Sequence, residues 1–398
     1  MTELQPFSSW SGPRNARIVL VGEAHGASED ECKLPFAGES GKELFRMLGE
    51  AWPLIAPDEH HRLVRLHRFG LAWIREREGW LRAASCAMTN VFNLRPRGNA
   101  IDELCGPRAS VTGTVTDALP PLRLGKYLQP QHLSELERLY HELALCRPNI
   151  VVALGNTAAW ALMRTAAISS IRGTTAPCAA EPIAGLKCLP TFHPASLLYT
   201  AKSGSGGGWS NRPVVIADLM KALRESEWPE IRRPSVSVLI DPTIEEIEAW
   251  VEATLTTGLR LESPSPLACD IETGAGQIKC VGFARSRSEA LVIPFVDFAR
   301  ADGSYWSDTG LERRAWDAVG RLLGSGLPLV FQNGLYDLQY LLRMGLRPAN
   351  CAHDTMLHHH ALFPEMSKGL GFLGSVYTGH SSWKLNYRIQ RDSEKRDE

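Results

Sequence analysis

Short apolar runs that end on glycine or a polar residue punctuate the first half of the chain. Arg17-Ile-Val-Leu-Val-Gly22 predicts a buried strand, and so do Cys86 to Val91, Asn149-Ile-Val-Val-Ala-Leu-Gly155 and Leu186–Phe192. Continuous runs of this kind suit strands covered on both faces. Between them the period changes. Leu44, Phe45, Met47 and Leu48 recur at helical spacing within 41–49, Thr157–Thr165 follows the third run, and a helical stretch near Val214–Glu225 closes the series. Strands alternating with helices predict a parallel α/β sheet, whose binding crevice lies at the carboxyl ends of the strands. Glu23, Asn90 and His193 all fall at such ends, so residues far apart in sequence can converge.

Trp228-Pro-Glu-Ile-Arg-Arg-Pro-Ser235 reads as a linker, because two prolines bracket charged residues. A different pattern begins at Val236. Leu267-Ala-Cys-Asp-Ile-Glu272 and Lys279-Cys-Val-Gly-Phe-Ala-Arg285 predict two strands joined by a turn at Gly274 to Gly276. Ala290–Phe295 makes a third strand, and a helix over 310–324 precedes the strand Leu327–Gln332. A three-strand meander followed by a helix–strand step suits an α+β core. No internal repeat is visible, and Ser203-Gly-Ser-Gly-Gly-Gly208 reads as a flexible loop.

The chain's 398 residues leave room for two cores, and its 44% apolar and 22% charged content is that of a globular protein. A formal net charge of −1 excludes a global basic field. Binding to nucleic acid must then rely on local groups such as Arg62, Arg65, Arg68, Arg75, Arg77 and Arg82, a stretch that equally reads as a solvated helix face. No apolar run approaches the roughly 18 residues of a membrane span. The start of the chain lacks a charged-then-apolar secretory signal, so a cytoplasmic location is expected, with no membrane partner. Nine cysteines are scattered without any close pair, which fits reduced thiols in that compartment.

Two clusters carry candidate chemistry. The first runs Val21-Gly-Glu-Ala-His-Gly26, Glu29-Asp30 and Pro35-Phe-Ala-Gly38, and is joined by Thr89-Asn90, Arg95-Pro-Arg-Gly-Asn99 and His193-Pro-Ala-Ser-Leu-Leu198. Removing a base from DNA requires the nucleotide to be extruded into a pocket. Phe36 can supply a stacking face. Asn90 offers donor and acceptor together and can pair with uracil O4 and N3–H. His193 can stabilise the departing uracil anion, and Glu23 can position water, with Glu29 in support. Leu197 can wedge into the base stack.

These pieces, in this order and at fitting spacings, resemble the family 4 branch of the uracil-DNA glycosylases, over about residues 16–225. The resemblance implies water activation at Glu23, stacking at Phe36, uracil recognition at Asn90, anion stabilisation at His193 and intercalation at Leu197. It also implies uracil-containing DNA as partner. Two departures stand out. Family 4 enzymes typically hold a four-cysteine iron–sulfur cluster, but no cysteine precedes Cys32 here, and Leu94 occupies the place of the cysteine before Arg95-Pro96. Only Cys105 remains near a ligand position, so no cluster is expected. His25 stands where the family usually has proline, and either adds a proton donor or fills a turn.

The second cluster is Asp270-Ile-Glu272 with Asn333-Gly-Leu-Tyr-Asp337. Asp270 and Glu272 are two apart on a strand and project from one face. With Asp337 they form a candidate cage for Mg²⁺ or Mn²⁺, since phosphodiester hydrolysis by two metals needs carboxylates converging on ions about 4 Å apart. The arrangement resembles the DEDD-type proofreading exonucleases, closest to the exonuclease domain of family A DNA polymerases. His353-Asp-Thr-Met356 and Leu370-Gly-Phe-Leu373 extend the likeness over roughly 237–384. The family's last motif, Tyr or His followed four residues later by Asp, is missing after Trp383, because Tyr387 is followed at that offset by Arg391. The expected exonuclease is therefore impaired and incomplete at its C-terminus.

The expected fold is thus a three-layer α/β glycosylase domain with a parallel sheet over 1–228, a linker over 229–236, and an α+β ribonuclease H-like exonuclease domain over 237–398. The expected function is DNA repair or replication: uracil excision joined to a proofreading-type 3′–5′ exonuclease acting on 3′ ends. A phage-type polymerase or other replication proteins are the expected partners. The competing reading is an accessory module that senses uracil or binds DNA without catalysis. A general nucleotide-binding protein is disfavoured, because the glycine-rich loop has no Lys-Ser/Thr pair for phosphates.

Overall fold

The computed structural model describes residues 5–52, 71–202, 211–258 and 264–378. Arg62, Arg65, Arg68, the loop 203–208 and the segment from Trp383 onward lie outside the described residues. The chain divides into two compact units. One comprises residues up to Arg232 together with the stretch from Gly371, and the other runs from Arg233 to Leu370.

The first unit is built on a five-stranded sheet. Its strands are β1 (Ile18–Ala24), β2 (Cys86–Phe92), β5 (Ile150–Leu154), β6 (Ala176–Pro177) and β7 (Lys187–Thr191), in the order β2-β1-β5-β7-β6. A separate two-stranded pair, β3 (Cys105–Gly106) and β4 (Tyr127–Leu128), lies between β2 and β5 in the chain. The four long strands are parallel, as the apolar runs predict. Every residue of β2, β5 and β7 is buried, because helices cover both faces of the sheet. One apolar cluster packs helices Leu133–Cys146 and Gly155–Met163 against one face, and a second packs helices Glu39–Ala51 and Arg212–Glu225 against the other.

Register places the site. Gly22 lies opposite Asn90, Val21 opposite Ala153, and Leu154 opposite Thr191. Gly22, Asn90, Leu154 and Thr191 therefore lie at one level near the carboxyl ends of their strands. Side chains at that level, or just past it, meet above the sheet's carboxyl edge.

A helix from the far end of the chain, Leu370–Tyr377, groups with this first unit from Gly371 on, whereas the sequence division assigns it to the second. The reason is a buried polar tie. Arg172 pairs with Asp218 and donates to Ser375 Oγ at 2.8 Å, and Lys221 donates to the Ser375 carbonyl. Asp218 in turn accepts from Thr191 Oγ1 at 2.7 Å, at the end of β7.

The second unit holds a six-stranded sheet. Its strands are β8 (Ser237–Leu239), β9 (Leu267–Gly274), β10 (Gln277–Ala284), β11 (Glu289–Pro294), β12 (Leu329–Phe331) and β13 (His353–Asp354), in the order β13-β12-β9-β10-β11-β8. β9, β10 and β11 form the antiparallel meander, and β12 joins β9 in parallel after helix Thr309–Leu323. Alternation along β9 buries Leu267, Cys269 and Ile271 and exposes Asp270 and Glu272. Among the described residues no helix is long and apolar enough to cross a membrane.

Candidate active site

At the carboxyl edge of the first sheet, the backbone of Gly22 makes room for two side chains. A Cβ there would lie 2.3 Å from Asn90 Oδ1 and 2.5 Å from Phe36 Cζ, so only glycine permits both to reach this point. Asn90 is 3% exposed, and its Nδ2 is buried without a hydrogen-bond partner among the described residues. A buried amide donor left unpaired costs about 1–3 kcal/mol. Such a donor is a place where a ligand acceptor would be favoured.

Phe36 sits in a turn with φ of 54°, a left-handed conformation that needs external support. Arg77 gives it. The guanidinium is fully buried and donates to the carbonyls of Pro35 and Phe36, both at 2.9 Å, and to Ser11 Oγ at 2.7 Å. Arg77 is thus a brace under the turn and not part of a surface arginine patch. The Phe36 ring faces the His193 imidazole nearly in parallel, with centroids 6.1 Å apart and planes at 21°.

His193 follows β7 by two residues. Its Nδ1 accepts from the main-chain N–H of Ala195 at 3.1 Å. In the neutral ring that bond leaves the proton on Nε2, making it a donor. Burial pushes the imidazole below its ordinary value, against the opposing pull of the Glu23 and Glu29 carboxylates. The ring is accordingly held toward its neutral form. Gly155, with φ of +88°, lies under it, and a Cβ at 155 would be 2.9 Å from His193 Cβ.

Glu23 is half-buried one residue past Gly22, and its Oε2 accepts from the hydroxyl of Thr157. Glu29 is buried with both oxygens engaged. Oε2 accepts from Gly26 N at 3.1 Å and Oε1 from Gly38 N at 3.0 Å. It therefore fastens the Glu23 loop to the Phe36 loop. Leu197 is 1% exposed and belongs to the core cluster beneath the sheet, so the expected wedge is not presented at the surface. The helical turn that starts at Pro194 points it inward. His25 is buried. Its Nε2 meets Ser9 Oγ at 2.9 Å, its main-chain N–H donates to Leu94 O at 3.1 Å, and burial lowers its ring below the ordinary value.

Three supporting residues escaped the sequence reading. Thr157 and Gly155 lie at a strand exit, the same signal that marks Glu23, Asn90 and His193. Arg138, on the helix Leu133–Cys146, carries no such signal. It is buried, and it donates to the carbonyls of Asn90 and Val91 and to both Glu135 and Glu142.

A four-cysteine cluster does not fit the residues present. All nine cysteines are free, and no three Cys, His, Asp or Glu side chains among the described residues are grouped to hold a metal ion. Cys105 donates to Ile101 O at 3.5 Å, and burial pushes its thiol up to about 11. It shares an apolar cluster with Trp10, Ile101 and Leu104, against which Phe7 and Leu94 pack.

Residues 10–224 match the sequence model of the uracil DNA glycosylase superfamily, more than half of the chain. The chain belongs to the uracil DNA glycosylase superfamily. The type-4 uracil-DNA glycosylase of Thermotoga maritima is 25% identical over 213 residues, spanning 53% of this chain and 78% of that protein. Membership in this superfamily makes the converging strand ends of the first unit the place to look for base-excision chemistry.

In the second unit the expected metal cage is not assembled among the described residues. Asp337 is buried at the start of helix Gly334–Arg343, and its Oδ1 accepts from Ile271 N at 3.0 Å, between Asp270 and Glu272. Burial pushes this carboxyl up to about 6, with Asp270 and Asp354 adding like-charge repulsion. Asp354 is likewise committed. It accepts from Gly334 N at 2.8 Å, Asn333 N at 3.2 Å and Met356 N at 2.8 Å, capping one helix and holding the start of another. Burial raises its value, but these main-chain donors outweigh it and hold the carboxyl below its ordinary range. Asp270, Glu272 and Asp337 thus share one strand neighbourhood.

Proposed function

We propose that the first unit excises uracil from DNA as a monofunctional glycosylase. The observation that carries this reading is the buried, unpartnered Nδ2 of Asn90 beside Phe36 and His193. Asn90 would give that N–H to uracil O4 and accept from N3–H. Phe36 would cover a base face. As the C1′–N1 bond breaks, its electron pair goes to N1 and the uracil anion gains charge at O2. The Nε2–H of a neutral His193 would donate there. Glu23 would hold the water whose oxygen bonds to C1′, and accept its proton. Superfamily membership and the convergence of these four residues support this scheme.

The full chain is tested on a single-stranded oligonucleotide carrying one uracil. Excision should leave an intact abasic strand that breaks only on added alkali. Borohydride trapping of a covalent protein–DNA adduct would refute the monofunctional scheme, and uracil binding without release would favour the sensing module instead. Asn90→Asp should slow excision at least about 100-fold, because a carboxylate cannot donate to O4 and a site built on hydrogen bonds rejects a mismatched partner strongly.

For residues 233–370 we infer a nuclease-like domain that does not degrade 3′ ends by itself. The order β11-β10-β9-β12-β13 supports the ribonuclease H-like reading. The engagement of both Asp354 oxygens by main-chain donors supports the absence of independent activity. A polymerase partner remains part of this proposal. Robust Mg²⁺-dependent digestion of a 3′ end, lost in Asp270→Ala, would overturn it.

A further inference from the structure

We infer that Thr157 is a positioning residue for base excision, its hydroxyl fixing the Glu23 carboxylate on a turn that also seats His193. This rests on the excision reading given above. Thr157 is 3% exposed in the first turn of helix Gly155–Met163, and its hydroxyl donates to Glu23 Oε2 across 134 positions of sequence. The two residues belong to neighbouring parallel strand exits, β1 and β5.

The turn's three polar or glycine residues divide the work. Gly155 adopts φ of +88° and leaves space for His193, whose Cβ would otherwise face a Cβ at 2.9 Å. Asn156 Oδ1 accepts from Ile168 N at 3.0 Å, which pins the turn to the following segment. Thr157 then reaches back to Glu23. The helix N-cap, Leu154, has no side chain that can cap the helix end, and the Thr157 hydroxyl is directed to the neighbouring carboxylate.

A glutamate has three rotatable bonds, and a carboxylate free to sample them would hold an attacking water poorly. A hydroxyl has one proton to give. Given to Oε2, it restrains the carboxylate while lone pairs remain to accept from water. The same short turn sets the distance between the Glu23 carboxylate and the His193 ring. One element would therefore align the group that receives the water's proton with the group that stabilises the leaving base.

The test uses the full chain and single-turnover excision of uracil from a single-stranded oligonucleotide. Thr157→Val keeps shape and removes the hydroxyl, and should lower the rate constant about 10- to 100-fold while the half-saturating DNA concentration stays within about twofold. Thr157→Ser, which restores the hydroxyl, should recover to within about threefold of the wild type. In a Glu23→Ala background Thr157→Val should add less than about twofold, because the group it acts through is gone. A Thr157→Val enzyme as fast as the wild type, a Thr157→Ser enzyme as slow as Thr157→Val, or full additivity with Glu23→Ala would each overturn the assignment while leaving excision intact. A wild-type chain that releases no uracil would bring down both. Where Thr157→Val melts below the assay temperature, Thr157→Ala is read in its place with the same expectations.

Discussion

Arg138 Nη2 donates to the main-chain carbonyl of Asn90 at 2.8 Å, from a helix 48 positions further along the chain. The same nitrogen donates to Val91 O at 3.0 Å, while Nη1 meets Glu142 Oε2 at 2.6 Å and Nε meets Glu135 Oε2 at 3.1 Å. Glu142 Oε1 accepts from Phe7 N at 2.8 Å, and Glu135 Oε2 from Asn93 N at 3.0 Å. A single buried cation thus ties the end of β2, where the proposed uracil-reading amide sits, to the helix beneath it and to the start of the chain. The network holds this edge of the sheet with charge-assisted hydrogen bonds.

Arg138→Met should therefore destabilise the first unit by about 3–5 kcal/mol, since it leaves two buried carboxylates without their cation. Burial already raises the Glu142 carboxyl, with Arg138 the main opposing influence, so the loss should be smaller in mild acid, where that carboxyl takes up a proton. Replacing Glu135 and Glu142 by Gln alongside Arg138→Met should recover much of the stability. Thermal and urea unfolding at two pH values measure this. A loss under about 1 kcal/mol would remove the network from the stabilising groups.

His193 should be neutral at pH 7 with its proton on Nε2, because Nδ1 accepts from Ala195 N at 3.1 Å and burial depresses the ring. Nitrogen-15 spectra of the imidazole distinguish the two ring atoms directly. A protonated Nδ1 would contradict the proposed donation to uracil O2. The sign of the linked stability follows. The unfolded ring binds its proton at about pH 6.5, before the folded one does, so stability should fall as pH drops through the interval below that value.

Asp337 predicts the opposite slope in the second unit. Its folded carboxyl is pushed up to about 6, above the ordinary value of 3.8, so between those values the folded state binds more protons than the unfolded one. Stability from this group is present in acid and is lost as pH rises through the window. Asp337→Asn keeps an oxygen for Ile271 N and removes the titration. The wild-type minus Asp337→Asn difference in melting temperature should decline from about pH 4 to about pH 6. A flat difference would mean that the carboxyl is not shifted.

Much of the proposed site is legible in the sequence because parallel strands deliver their exits to one edge. Glu23, Asn90 and His193 each end a short apolar run, and that suffices to bring them together. Thr157 ends another such run, so the rule that marks the first three also reaches it. Arg138 and Arg77 could not be read in the same way. A buried arginine is indistinguishable by pattern from a solvated one, and Arg77 lies in a stretch that looks like a charged helix face. What decides its burial is the unusual backbone of Phe36, whose carbonyl needs a donor.

Local sequence was enough for the alternating elements of the first unit, the meander of the second, and the side chains that can do chemistry at strand ends. Those follow from local periodicity and from the identity of residues where an apolar run stops. Which of those side chains are engaged elsewhere depended on contacts between distant segments. Glu29 joins two loops, Leu197 is drawn into the core, Asp354 accepts main-chain N–H groups on both oxygens, and Asp337 accepts one. Such contacts also gave the helix Leu370–Tyr377 to the first unit, through Arg172 and Ser375. Hydrogen-bond partners and burial depend on which atoms meet across long loops, and spacing along a chain does not encode that meeting.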